Sequence, residues 1–270
     1  GVVIRRNCRL LRKINSVDYK IYNEDCLKIM KGLLEKNPNG LFDCIWTDPP
    51  YFLSNGGISC QAGKVVSVDK GIWDKSRGPE KNHEFNYEWL SLCQKLLKKD
   101  GTIWVSGTHH VIHSIGFAMQ QLGFKILNEI TWEKPNPPPN LSCRYFTHST
   151  ETLIWAAKTE KSKHCFNYDF MRQINNGKQM KTVWNFLPPS SEEKLLGKHP
   201  TQKPVKLIER CILASTLPDA LVFDPFMGSG TTGVACMSLG RKFVGVEKER
   251  NFFDLAEKRL KSVNKRLMVV

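Results

Sequence analysis

Acidic side chains are the scarce class in this chain: 26 Asp and Glu stand against 40 Lys and Arg, a formal charge of +14 over 270 residues. A surplus of that sign points to a polyanionic partner, nucleic acid first. Long apolar runs are also missing. No stretch reaches the roughly 20 residues of a bilayer-crossing helix, and no basic amphipathic segment with an aromatic apolar face marks a membrane surface. No C-x-x-C pair occurs. The nine cysteines are scattered at Cys8, Cys26, Cys44, Cys60, Cys93, Cys143, Cys165, Cys211 and Cys236. They read as reduced, mostly buried thiols of a cytoplasmic protein, not as a disulfide frame or a zinc site. The triphosphate loop G-x-x-x-x-G-K-[ST] is absent. The N-terminal stretch holding Arg5, Arg6, Arg9, Arg12 and Lys13 lacks the apolar segment of a secretory signal. There is no internal repeat.

What is present is an α/β rhythm around one loop. Leu221-Val222-Phe223 has the look of a buried strand, and 231–239 reads as a helix. Between them runs Asp224-Pro225-Phe226-Met227-Gly228-Ser229-Gly230. Glycine lets a backbone turn sharply and lets a ligand come close, and the helix behind offers unpaired N–H groups. Two glycines alone favour an ordinary strand–turn–helix connection. The follow-on strand Phe243-Val244-Gly245-Val246-Glu247 changes that, because it ends in a carboxylate roughly twenty residues on, where a ribose-binding acid is expected. Together the two predict a nucleoside-bearing cofactor. An earlier strand over 19–22 ends at Asn23-Glu24-Asp25-Cys26. Asp25 there is either a ligand contact or a helix N-cap, and taken alone the cap is favoured.

The most informative tetrapeptide is Asp48-Pro49-Pro50-Tyr51, which follows a strand over 41–47. Two prolines stiffen the backbone and donate no N–H. The Pro49 carbonyl can accept a hydrogen bond, the Asp48 carboxylate accepts beside it, and Tyr51 offers a flat ring. Two acceptors and a stacking face match a planar group carrying an NH2. The plain alternative is a rigid turn; a cofactor loop in the same chain puts the functional reading ahead.

Residues 52–78 predict a mobile functional loop, with Gly71-Ile72-Trp73-Asp74 docking against the site. Helices are expected over 84–97, closed by Lys98-Lys99-Asp100-Gly101, then over 112–122, over 205–215 with Thr201 as a cap, and over 251–263 with Lys, Arg and Glu on its outer face. Strands are expected over 102–107, 125–132 and 151–157. His109, His110 and His113 have no carboxylate or cysteine at ligand spacing, so they read as surface or packed histidines and no metal is expected. The proline-rich 133–140 predicts a stiff loop. Arg144-Tyr145-Phe146-Thr147-His148 suits stacking on bases and holding phosphates, or equally a folded-over loop anchored by aromatic packing. From 158 to 198 the rhythm stops. Arg172, Lys178 and Lys181 alternate there with Phe166, Tyr168, Phe170 and Trp184, predicting an insert with a basic, aromatic face. The expected division is a core in two parts, 1–157 and 198–270, around an insert at 158–197.

Asp48-Pro49-Pro50-Tyr51 together with Phe226-Met227-Gly228-Ser229-Gly230 resembles the S-adenosylmethionine-dependent amino methyltransferases of DNA, in the order of their beta class. His199-Pro200-Thr201-Gln202-Lys203-Pro204 matches a cofactor motif of that class, and Asn23-Glu24-Asp25-Cys26 its strand-end acid. Residues 50–57 and 140–152 more particularly resemble the DpnA-type methyltransferases of GATC restriction-modification systems. The resemblance implies an α/β Rossmann-like methyltransferase fold with a seven-stranded, mostly parallel, circularly permuted sheet and a small target-recognition insert. It implies a cofactor site of Asp224, Phe226, Gly228, Ser229, Gly230 and Thr231, with Glu247 on the ribose, Asp25 on the adenine, and Thr201, Gln202 and Lys203 on the amino-acid end. Asp48 and the Pro49 carbonyl would hold the target NH2, with Pro50 stiffening the turn and Tyr51 stacking on the base. Phe52, Arg144, Tyr145, His148, Arg172, Lys178 and Lys181 would contact DNA, double- or single-stranded, with a homodimer kept as a candidate assembly. The expected activity is methylation of adenine N6. The rivals are cytosine N4, a non-catalytic DNA-binding protein on the same fold, and a nicotinamide dehydrogenase, which leaves Asp48 to Tyr51 unexplained.

Overall fold

A strand covered on both faces must be apolar along nearly its whole length, and the run from Phe42 to Thr47 is buried at all but one position. The computed structural model describes residues 18–52, 57–61, 64–68, 75–197 and 199–267. The elements are β1 (Tyr19–Asn23), α1 (Cys26–Lys36), β2 (Phe42–Thr47), β3 (Gly57–Gln61), β4 (Lys64–Val68) and α2 (Pro79–Leu96). Then follow β5 (Leu97–Gly107), α3 (Ile112–Leu122), β6 (Lys125–Glu133), β7 (Thr150–Ala157), α4 (Tyr168–Ile174) and β8 (Val183–Asn185). The chain closes with α5 (Val205–Ser215), β9 (Leu221–Asp224), α6 (Thr231–Ser238), β10 (Lys242–Glu247) and α7 (Arg250–Leu267).

The main sheet has eight strands in the order β1-β10-β9-β2-β5-β7-β6-β8. All neighbours pair parallel except at β7, which runs against β5 and β6. The fold is α/β and Rossmann-like, with one strand more than the seven expected. The addition is β8, three residues from the 158–197 stretch that pair with the end of β6. Buried Trp184 carries it against Trp104, ring centroids 6.0 Å apart.

Alternation along β2 sorts the core into two layers. Ile45 faces a cluster with Met30, Trp89, Leu90 and Ile115 under α1, α2 and α3. Cys44 and Trp46 face the opposite cluster, with Leu207, Ile208, Cys236 and Leu260 under α5, α6 and α7. Trp104 and Trp155 stack in that second layer at 4.9 Å and 6°. Cys26, Cys44, Cys93, Cys211 and Cys236 are buried free thiols; Cys143 is exposed. Burial pushes the Cys26 and Cys44 thiols up to about 12.

Three expectations change. Lys98 to Gly101 do not close a helix, because β5 begins at Leu97 directly after α2. The 52–78 stretch contains the antiparallel hairpin β3–β4; the docking expected of Gly71 to Asp74 and the N-terminal arginines lie outside the described residues. Thr201 does not cap α5: the Glu193 carboxylate accepts from Val205 N at 3.0 Å, and the Thr201 amide and hydroxyl face His199 Nδ1. No helix among the described residues is long and apolar enough to cross a membrane.

Candidate active site

β2 and β9 are parallel neighbours, Cys44 opposite Val222 and Ile45 opposite Phe223. Their C-terminal ends therefore emerge side by side, where open α/β sheets place their ligands. Thr47 Oγ1 donates to Asp224 Oδ1 at 2.9 Å across 177 residues of sequence. Asp48 to Phe52 leave one strand and Pro225-Phe226 leave the other. Between them opens a cavity of about 850 Å3 whose wall also includes Asp25, Thr201, His199 and Glu247.

On the tetrapeptide side, Asp48 is the hub. Its Oδ1 accepts from Tyr51 Oη at 2.5 Å and its Oδ2 from Lys203 Nζ at 2.6 Å. Lys203 Nζ also donates to Tyr51 Oη at 2.8 Å. Glu151 Oε2 lies 3.3 Å from the same ammonium, an ion-pair contact off the hydrogen-bond direction. The other oxygen of Glu151 takes the Lys134 ammonium. Two carboxylates thus alternate with two ammonium groups, and Lys203 is only 5 % exposed. Burial holds the Asp48 carboxyl above its ordinary range against the pull of Lys203. At Glu151 burial pushes upward as well, but Lys203 and Lys134 outweigh it and the net shift is downward. Lys203 is raised, since its two carboxylates outweigh the cost of burying its charge. A carboxylate offers about four lone-pair sites, so Asp48 retains capacity to accept from a further NH2.

On the glycine-loop side, Glu247 Oε2 accepts from Gly228 N at 3.0 Å and Oε1 from Glu249 N at 2.8 Å. Burial raises the Glu247 carboxyl, and the backbone donors oppose it. Phe226 shows its ring to the cavity, backed edge-on by Trp89 at 5.4 Å. Asp25 is the cap, its Oδ1 accepting from Leu27 N at 3.0 Å, and the residue also lines the cavity. Gly228 and Gly230 hold φ of 51° and 76°, backbone that side chains rarely adopt.

Several residues expected at the cofactor lie behind the wall. Asp224 is buried, taking Thr47 Oγ1, Thr232 Oγ1 at 2.5 Å and Phe226 N at 3.0 Å. It locks the loop to β2 and α6. Burial pushes its carboxyl up to about 7 against those three donors. Ser229 and Thr231 are buried on Arg259, whose Nη1 donates to both side chains at 2.8 Å. Gln202 Nε2 donates to the Glu193 carbonyl at 3.1 Å. Lys203 serves Asp48 and Tyr51, so its ammonium is committed to the tetrapeptide side. Thr201 lines the cavity as expected.

The residues expected at DNA divide by position. Phe52 lines the cavity and meets Phe85 edge-on at 6.1 Å. Arg144, Tyr145 and His148 are exposed on the loop between β6 and β7, at the same edge of the sheet. Lys178 and Lys181 are exposed as well. Arg172, however, donates through Nε and Nη2 to the Gly177 carbonyl. It sits on α4, which packs at the C-terminal end of α5, away from Lys203. Among the described residues no group of His, Cys, Asp or Glu could hold a metal.

Sequence reasoning missed Glu151, Lys134 and Arg259. A buried Glu opening an otherwise apolar strand was the one available signal for Glu151. Arg259, 5 % exposed, turns inward from a helix expected to be charged on its outer face.

The N6/N4 methyltransferase family, described as DNA methylase, matches residues 42–258. The type II methyltransferase M2.DpnII of Streptococcus pneumoniae is 55 % identical over 235 residues, covering 87 % of each chain. M2.LlaDCHI of Lactococcus lactis subsp. cremoris is 56 % identical over 229 residues, 84 % of this chain and 85 % of its own. Among solved structures, the M1.HpyAVI–SAM complex superposes with a TM-score of 0.68 at 33 % identity, over 90 % of this chain and 98 % of that one.

Proposed function

Because the chain belongs to the DNA methylase family, we propose that it methylates the N6 amino group of adenine in DNA, using S-adenosylmethionine, as the modification enzyme of a restriction-modification system. The observation that carries this is the placement of Asp48-Pro49-Pro50-Tyr51 beside the β9 loop, with one cavity between them.

The cavity residues fit the cofactor. Glu247 has both oxygens aligned by backbone donors, with lone pairs left for a ribose diol. Phe226 offers a ring to a nucleobase, and the acids of the wall outnumber its cations Lys75, Arg77, Lys81 and Lys248, which suits a cation. When bound, S-adenosylmethionine supplies a methyl group on a positively charged sulfur. The chain's own residues prepare the amine. An exocyclic NH2 is a poor nucleophile because its lone pair is delocalised into the ring. Asp48 and the Pro49 carbonyl would each accept one N–H, drawing the nitrogen toward tetrahedral geometry and releasing the lone pair. Lys203 favours the ionised form of Asp48 and orients it, and the Tyr51 hydroxyl, fixed by both, sets the ring against which the base would stack. Catalysis is then positioning and electrostatics. A base reaches such a pocket only by leaving its stack.

An acceptor-only carboxylate suits the NH2 of adenine or of cytosine; adenine is preferred on the resemblance alone, since Asp opens this tetrapeptide where Ser is usual in the cytosine-N4 enzymes of the family. The test is transfer of labelled methyl to genomic DNA followed by digestion to nucleosides. Label in N6-methyladenine is expected; label in N4-methylcytosine alone would replace the base assignment, and none in DNA would end the reading.

A further inference from the structure

We propose that Phe146 is the wedge this protein drives into duplex DNA to fill the space left by the extruded base. The inference rests on the reading of the chain as a methyltransferase acting on a base taken out of its stack.

The loop joining β6 to β7 is built as a projecting arm. Its root is fastened to the active site: Lys134 N donates to the Ser149 carbonyl at 2.8 Å, and the Lys134 ammonium pairs with Glu151. Glu151 meets Lys203, which holds Asp48. Pro135 and Pro137-Pro138-Pro139 stiffen the outgoing side. The tip is closed on itself. Asn140 Oδ1 accepts from Ser142 N at 3.0 Å and from Ser142 Oγ at 2.8 Å, and its Nδ2 donates to the Tyr145 carbonyl at 2.6 Å. The descending side is propped on α3's approach by a run of rings, Tyr145 to His148 at 5.4 Å and His148 to His109 at 4.5 Å.

Phe146 stands 97 % exposed, more than Leu141 at 51 % or Tyr145 at 61 % on the same loop. A large apolar ring held in water on a stiffened, internally bonded loop gains free energy when a partner covers it. The charge around it says by what. Beyond the paired Lys134, residues 135–149 carry Arg144 and not one Asp or Glu, which suits a phosphate-lined partner. Proteins that open base steps use apolar wedges of this kind, since unstacking costs a few kcal/mol that an inserted ring offsets.

The test compares methyl transfer by the full chain and by Phe146→Ala and Phe146→Trp on the same phage DNA, native and heat-denatured. The wedge predicts that Phe146→Ala loses about tenfold or more in kcat/KM on native DNA and stays within about twofold on denatured DNA, while Phe146→Trp keeps duplex activity. Equal losses on both substrates would assign Phe146 to folding or to a contact between copies and overturn the proposal. Unchanged duplex activity in Phe146→Ala would overturn it too, as would an unaltered chain that methylates denatured DNA alone. Absence of transfer to either DNA by the unaltered chain would instead remove the methyltransferase reading itself.

Discussion

At the scale of single residues, the site turns on one ammonium shared by two carboxylates. Lys203 contacts Asp48 at 2.6 Å and Glu151 at 3.3 Å, and Asp48 is the group proposed to polarise the amine. Removing that acceptor in Asp48→Ala should lower kcat on the order of 100-fold, the cost of losing one preorganised hydrogen-bonding group in a water-poor site. Cofactor affinity by calorimetry should hardly change, because the Glu247 and Phe226 side of the cavity is untouched. Lys203→Met tests the electrostatics. Burial already raises the Asp48 carboxyl and Lys203 opposes that rise. Without the ammonium the carboxyl climbs further, so its ionised form is present only at higher pH. The acid limb of the kcat profile should therefore move to higher pH, with activity near pH 6 falling more than activity near pH 8. An acid limb left in place would show that Lys203 does not tune Asp48. A melting curve accompanies the measurement, since breaking a buried pair costs about 3–5 kcal/mol.

At the scale of elements, the β9–α6 connection carries the strain and the lock. Gly230 holds φ 76°, and a Cβ there would come within 2.9 Å of the Ala256 Cβ on α7. Gly230→Ala should cost roughly 1–3 kcal/mol and weaken cofactor binding, read as a lower Tm and a higher Kd. Asp224 locks the same connection with its carboxyl pushed up to about 7. Its folded form binds a proton more tightly than the unfolded chain does, so stability falls as pH rises from the ordinary carboxylate range through about 7. Asp224→Asn, which cannot ionise, should flatten that slope in denaturant titrations at several pH values. These elements also show what could be read beforehand. The glycine loop and the tetrapeptide were legible because each packs its signal into a few consecutive residues. The Lys203–Asp48 bond joins residues 155 apart, and no local period records it. β8 is three residues long, too short to show alternation. Arg259 lies in a helix so rich in charge that a buried cation there resembles its exposed neighbours.

At the scale of the whole molecule, the surplus of 14 positive charges and the cavity do separate jobs, and salt distinguishes them. In the cavity wall the acids, Asp25, Asp48, Glu84, Glu88 and Glu247 among them, outnumber the cations Lys75, Arg77, Lys81 and Lys248, so the positive surplus lies elsewhere, including Arg144, Lys178 and Lys181 on exposed segments. If those exposed cations grip phosphates, each neutralised phosphate releases counterions, and log Kd changes linearly with log salt concentration. About six phosphate contacts would cost on the order of 1,000-fold in DNA affinity between about 50 and 200 mM salt. Anisotropy titrations of labelled duplex at graded KCl measure that slope, and Arg144→Ala should reduce it by about one contact. Cofactor affinity over the same range should change little, because a partly enclosed site is screened less than a surface patch. An unaltered slope in Arg144→Ala would move the phosphate grip off the β6–β7 arm and onto the 158–197 stretch that carries Lys178 and Lys181. A slope near zero for the unaltered protein would mean that the positive surplus serves solubility and that base contacts alone hold the DNA.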